Sequence, residues 1–292
     1  MKNVKFLLVV LIVAIAAMNS YAQAPATVIK PPKYPDGVYT KENTRTRRAI
    51  PYPHLREADV MWSKRVWRVI DLREKMNHTL YYPDVPILDR KSLFDVIREA
   101  AIKDGSITLF DQALIDDEFR YDMTKTEIEA KLVKWDSTAQ TEDPNNPGTM
   151  LSAPTKNEIT SANVWKYWVK EDWFFDRQRS VMDVRVIGIC PLIEKISETG
   201  EHLGGDVALF WVYFPEARPI FANQEVFMRH NDAERRTLED IFWKRMFSSY
   251  VRKESNVYNR IISEYKTGLD VLLEADRVKN DIFMYEHDLW HF

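Results

Sequence analysis

The chain has 292 residues, 45% hydrophobic and 29% charged, with a formal net charge of −3. That composition excludes collagenous, low-complexity and wholly disordered chains, and the length suffices for one large domain or two small ones. The acidic balance gives no reason to expect a nucleic-acid partner.

The long apolar run Phe6 to Met18 follows Lys2 and Lys5 and is too short to cross a bilayer. It reads as the core of a signal peptide over residues 1–22, with Ser20-Tyr21-Ala22 directing cleavage before Gln23. The single cysteine, Cys190, excludes an intrachain disulfide, and no cysteine stands at the cleavage site to carry a lipid. Export without disulfides, in a chain large enough to be stable by burial, fits a bacterial periplasm.

Residues 23–58 hold six of the fourteen prolines and read as an extended arm, because proline resists both helix interiors and central strands. Arg45, Arg47 and Arg48 are the densest cluster in a basic stretch over 41–75, a solvated face or a strap for an acidic neighbour. Residues 59–292 read as a single α+β domain. Asp59 caps a predicted helix to Met76, with Trp62, Val66, Val69 and Ile70 at helical spacing. Asp89 caps a second, with Leu93, Val96, Ile97, Ala100 and Ala101 on one face and Gly105 as its stop. Ser106 to Phe110 reads as a strand, and Thr124 with Glu127 has the spacing of a capping box opening a helix to about Trp135.

Residues 137–158, rich in Pro, Asn, Asp, Thr and Gly, read as a surface loop or linker. Beyond it, Val164–Val169, Val181–Cys190 and Val207–Phe214 are rich in β-branched and aromatic residues and predict a central antiparallel sheet. Gly200 and Gly204-Gly205 are placed at the turn into the last strand, whose apolar run predicts burial on both faces. Asn231 and Glu234 form a second box, opening a helix to about Lys253 with Leu238, Ile241, Phe242 and Met246 on one face. Ser255–Tyr265 and Leu269 to about His287 read as helices parted by Gly268. The class is therefore α+β, a middle sheet flanked by N-terminal and C-terminal helices.

Candidate chemistry is sparse. There are eight glycines and no phosphate-cradling G-x-G-x-x-G or P-loop pattern, nor the G-x-S-x-G elbow of one large hydrolase class. His287 and His291 have the i, i+4 spacing of a zinc pair, which would suit a periplasmic zinc hydrolase. The intervening Asp288 is short for a catalytic carboxylate, and packing is the stronger reading. Cys190 beside Pro191 reads as a buried small residue, and the pairs Glu171-Asp172 and Glu239-Asp240 are unremarkable among 44 carboxylates. No catalytic, cofactor or metal residue is assigned.

Aromatic content stands out: 9 Trp, 13 Tyr and 14 Phe, clustered at Trp165-Lys166-Tyr167-Trp168 and at Trp173, Phe174 and Phe175. Core packing leads, followed by a protein interface and then a carbohydrate-binding platform. Arg45, Arg47, Arg48, Trp173, Phe174 and Phe175 are the candidate partner contacts.

Five runs, Asp71 to His78, Lys170 to Asp176, Arg179 to Arg185, Asn231 to Arg236 and Glu286 to Trp290, together resemble the GldN/PorN family. The resemblance covers about residue 60 to the C-terminus. It implies a non-enzymatic periplasmic component of the type IX secretion and gliding machinery of Bacteroidetes. It further implies a multi-copy ring with neighbouring copies of the chain and a GldK/PorK-type lipoprotein, contacted by the periplasmic part of a GldM/PorM-type motor protein. Membrane association would then be indirect, through the lipoprotein on the periplasmic face of the outer membrane.

Overall fold

The computed structural model describes residues 46–87, 90–111, 117–136, 140–142, 150–152, 155–196, 202–228, 231 and 233–289. In chain order the elements are β1 (Val60–Asp71), α1 (His78–Tyr81), α2 (Leu93–Glu99), β2 (Leu109–Asp111), α3 (Lys125–Leu132) and β3 (Val133–Asp136). There follow β4 (Gln140–Glu142), β5 (Met150–Ser152), β6 (Thr155–Glu158), β7 (Val164–Asp176), β8 (Val181–Ile196), β9 (His202–Ala208) and β10 (Phe210–Tyr213). The chain closes with α4 (Phe214–Asn223), α5 (Leu238–Trp243), β11 (Tyr250–Glu254), α6 (Ile262–Tyr265) and α7 (Leu269–Asp288). No described helix is long and apolar enough to cross a membrane.

The architecture is α+β, built on a seven-stranded antiparallel sheet ordered β11-β1-β7-β8-β10-β2, with β9 paired to β8. At its centre the side chains alternate between two clusters, as the two-residue period of a strand requires. Leu109, Tyr167, Val169, Ile189, Phe210 and Val212 enter the main core with Phe94 and Ile97 of α2, Phe221 of α4 and Phe242 of α5. Their immediate neighbours Phe110, Trp168, Cys190 and Trp211 point the other way, into a cluster that contains no helical residue. Helix α7 lays Ala275, Val278 and Ile282 on Val66 and Val251, with Tyr285 stacked on Trp62 at 4.6 Å. Val66 and Ile70 share a face, so α7 joins the other helices on the same side of the sheet. One face thus carries helices and the other carries tryptophans. Each fully buried large side chain contributes on the order of 1.5–3 kcal/mol.

Several predicted elements hold. The sheet begins at Val164 and Val181 as read, and Phe210, Trp211 and Val212 are buried. Gly105 ends the helical stretch after α2 in the left-handed region (φ 59°), where a side chain would be strained. The Thr124 and Glu127 box opens α3.

Others are corrected. Residues 60–71 form a strand, not a helix: positions 66–70 are buried in succession because β1 is covered on both faces, and that run mimics a helical stripe. Asp89 lies outside the described residues, and Ser92 caps α2, accepting from Asp95 N–H at 3.2 Å. Helix α3 stops at Leu132, where β3 begins. The 137–158 segment contains β4, β5 and β6, in ladders β4–β5 and β3–β6. Gly204 and Gly205 lie within β9 rather than in a turn, and Phe214 already belongs to α4. Asn231 closes only a turn, accepting from Ala233 N–H. Thr237 is the cap of α5, and Arg245 with φ 53° ends that helical course far short of Lys253. Only Ile262–Tyr265 of the predicted 255–265 helix is helical.

Candidate functional site: the seat of the N-terminal arm

The end of the proline-rich arm, residues 46–56, forms neither helix nor strand and meets the domain where β8 has only β7 beside it among the described residues. Strand β10 pairs with β8 only at Gly188 and Ile189, leaving residues 181–187 with β7 alone. Tyr52 and Pro53 meet this stretch. Arg185 of β8 donates to the Pro53 carbonyl at 2.7 Å, with its guanidinium 5.0 Å from the Tyr52 ring and 5.2 Å from the Phe174 ring. From the helical side, Arg218 of α4 donates to the Ile50 carbonyl and lies 3.9 Å from the Tyr52 ring centre. Tyr52 stacks on Trp243 of α5 at 5.5 Å. Burial pushes the Tyr52 hydroxyl pKa up, against the pull of Arg218 and Arg185.

The anchors are ionic. Arg218 is 6% exposed and donates to Glu239 at 2.6 and 3.2 Å inside the protein, where burial holds the Glu239 carboxyl above its ordinary value. Arg47 grips Asp240 with two parallel bonds of 2.6 and 2.7 Å. Asp240 is also the reciprocal partner of the Thr237 cap, accepting its backbone N–H at 3.1 Å. One carboxylate thus closes the start of α5 and holds the arm. Burial raises the Asp240 pKa, but the bonds from Arg47 and Thr237 outweigh it and the net displacement is downward.

A carboxylate held below its ordinary value of 3.8 stabilises the folded state fully above that value, and the contribution is lost as pH falls through the lowered one. The arm should therefore stay seated at neutral pH and loosen only in strong acid. Asp240→Asn should loosen it at pH 7.5, raising the rate of trypsin cleavage after Arg47 and Arg48 roughly fivefold, the equivalent of about 1 kcal/mol. An unchanged rate would remove Asp240 as the anchor.

The predicted contacts divide sharply. Arg45 lies outside the described residues, Arg47 is bound to its own domain, and Arg48 is exposed. Phe174 and Phe175 are 4% and 8% exposed, so the fold places these two rings in its own interior, while Trp173 is half-buried against the cluster under α7. Phe174 nevertheless belongs to the seat, as the wall beneath Arg185. Reading the sequence missed Arg185, Arg218 and Asp240, which come from three separate elements; the signal within reach was the Thr-x-x-Asp spacing at 237–240.

The pairs Glu171-Asp172 and Glu239-Asp240 are each arginine-bound: Glu171 to Arg245, Asp172 to Arg65, Glu239 to Arg218 and Asp240 to Arg47. Burial pushes the Cys190 thiol up, away from reactivity. Among the described residues no group of three His, Cys, Asp or Glu side chains could hold a metal; His287 is exposed, and His291 lies outside them. A cleft of about 830 Å³ between α2, α3 and β6 is lined by Lys91, Arg98 and Lys103, each already paired with Glu99, Asp95 or Glu158.

Two comparisons bear on identity. The family model described as "Gliding motility associated protein GldN" matches residues 55–291, starting at the end of the arm and running through every element above. No curated protein matches the chain.

Proposed function

We propose, because the chain belongs to the GldN family of gliding motility associated proteins, that it is a structural subunit of a multi-copy periplasmic ring. The ring would be built with a GldK/PorK-type lipoprotein and met by the periplasmic part of a GldM/PorM-type motor protein, within type IX secretion and gliding. The observation that carries this reading is the family match across residues 55–291. Its location rests on the signal peptide read in Lys2 to Ala22 and on attachment through the lipidated partner. On this reading the protein performs no reaction.

A ring needs a contact between copies that repeats by rotation and closes. Helix α7 has surface to offer: opposite its packed face, Leu269, Leu272 and Leu273 at its start and Phe283 and Met284 near its end are half or more exposed, on either side of exposed Asp276 and Asn280. Exposed apolar groups of this kind are candidate contact sites. The test is purification of the tagged protein from native membranes in mild detergent, with mass spectrometry of partners and negative-stain imaging. A ring containing an exported lipoprotein is expected. Leu273→Glu with Phe283→Glu should yield a folded chain that no longer enters it. Recovery as a free monomer, under conditions that keep other envelope complexes whole, would overturn the proposal.

A further inference from the structure

A bulge in β11 turns two consecutive cations onto the face of the sheet that the helices leave alone. Across the β1 ladder Trp67 stands opposite Lys253 and Arg68 opposite Val251, so Arg252 is the extra residue and its side chain joins that of Lys253 on one side. The Arg252 guanidinium lies 3.9 Å from the Trp168 ring centre, and the Lys253 ammonium 4.3 Å from that of Trp67. Both side chains are half-buried, and burial draws both pKa values down. Among the described residues neither has a hydrogen bond or an ion pair, so their N–H donors are partly desolvated and unspent.

The acids nearby, Asp117, Asp206 and Glu264, act on the two cations from a distance and bond to other groups. Asp117 accepts the Trp67 indole N–H and pairs with Lys170 at 3.5 Å. Asp206 pairs with Lys166 at 3.3 Å. Glu264 accepts the Ile261 backbone N–H at 3.3 Å. The indole faces hold the two cations in place, but a ring face satisfies none of the outward N–H donors. The site therefore lacks an anion and already has its geometry. It also lies on a sheet edge, since β11 has β1 as its one strand partner among the described residues.

We propose that this corner binds an extended acidic segment of a partner protein, with Asp or Glu carboxylates taken by Arg252 and Lys253 and the backbone laid beside β11. The pairing of charge with a strand edge is what selects a peptide: a small anion would use the cations and leave the edge unused. The proposal stands apart from the ring reading and from the arm seat.

The test is fluorescence anisotropy of a labelled oligoglutamate at low salt against three proteins. The wild type should bind. Arg252→Gln with Lys253→Gln should weaken binding at least about tenfold, and Arg252→Lys with Lys253→Arg, which keeps both charges, should restore most of it. A control of equal net charge, Lys75→Gln with Lys244→Gln, removes two exposed lysines and should bind as the wild type does. Because Gln keeps much of the side-chain shape, an unchanged melting temperature would show that each variant is folded. Absence of binding to the wild type, equal weakening in the control, or displacement by inorganic phosphate at equal concentration would each overturn the proposal. So would a wild-type dimer in sedimentation that the double Gln variant loses, because the occupant would then be a second copy.

Discussion

Arg218→Ala should lower stability by about 3–5 kcal/mol, because it strands Glu239 inside the protein. Glu239 is 4% exposed, and among the described residues its strong donor is the Arg218 guanidinium. For a folded unit of this size the loss corresponds to roughly 10 °C in melting temperature. The pH dependence carries the diagnosis. Burial already holds the Glu239 carboxyl above its ordinary 4.5, and removing Arg218 pushes it further. An acid with a raised folded-state value binds its proton more tightly when folded, so the deficit should be greatest at neutral pH and shrink as pH falls toward 4.5. Arg218→Met with Glu239→Leu, which removes both charges and keeps the volume, should recover most of the loss. The same single variant should free the arm, since Tyr52 and the Ile50 carbonyl lose their common partner; faster trypsin cleavage after Arg48 would report it. A fall of only 1–2 °C, about the size of an exposed pair, or a double variant no more stable than the single one, would contradict this account.

The legible parts of the fold were those whose cause is local. The box at Thr124 and Glu127, the stop at Gly105, and the β-branched and aromatic runs of β7 and β8 each act within a few residues. Strand β1 failed because its covering layers come from far along the chain: helix α7 buries Val66 while the tryptophan cluster buries Trp67, which erases the alternation by which a strand is read. The start of α5 failed for a related reason, since two boxes of similar spacing compete and tertiary contact with Arg47 favours the one at Thr237. Arg47 was legible as a cation, but its acceptor is 193 residues away. The site at Arg252 and Lys253 depends on a one-residue slip in a ladder, which no pattern along the chain announces. Gly188 shows the same limit: a Cβ there would come within 2.5 Å of the Phe119 ring, a constraint set by a loop some seventy residues earlier.

Glu171→Ala is the second large effect expected, again about 3–5 kcal/mol and roughly 10 °C, and it bears on why the run Lys170 to Asp176 reads as it does. Glu171 is fully buried in β7. It accepts from Arg245 at 2.9 Å and from the Trp173 indole N–H at 3.1 Å. Arg68, 6% exposed, also depends on it: burial draws the Arg68 pKa down, and Glu171 is the charge that opposes this while Arg245 adds to it. Removing Glu171 would leave two arginines facing each other with no anion between them. Arg245 sits in the left-handed backbone that ends α5, so this pair ties the end of the helix to the middle of the sheet. Glu171→Met with Arg245→Met should be more stable than Glu171→Ala alone, and a change within 1–2 °C for the single variant would show that the carboxylate carries little. The rest of the run is used in the same way. Lys170 donates to the Asp117 carbonyl at 2.6 Å, Asp172 pairs with Arg65 at 2.6 Å, and Asp176 accepts from Arg179 at 2.7 Å. In the sequence the Glu171-Asp172 pair is unremarkable, and in the fold each ion of the run is spent on joining strands, loops and helices. These ions hold the central strand to its surroundings, and that is why substitutions here should be read first in melting temperature.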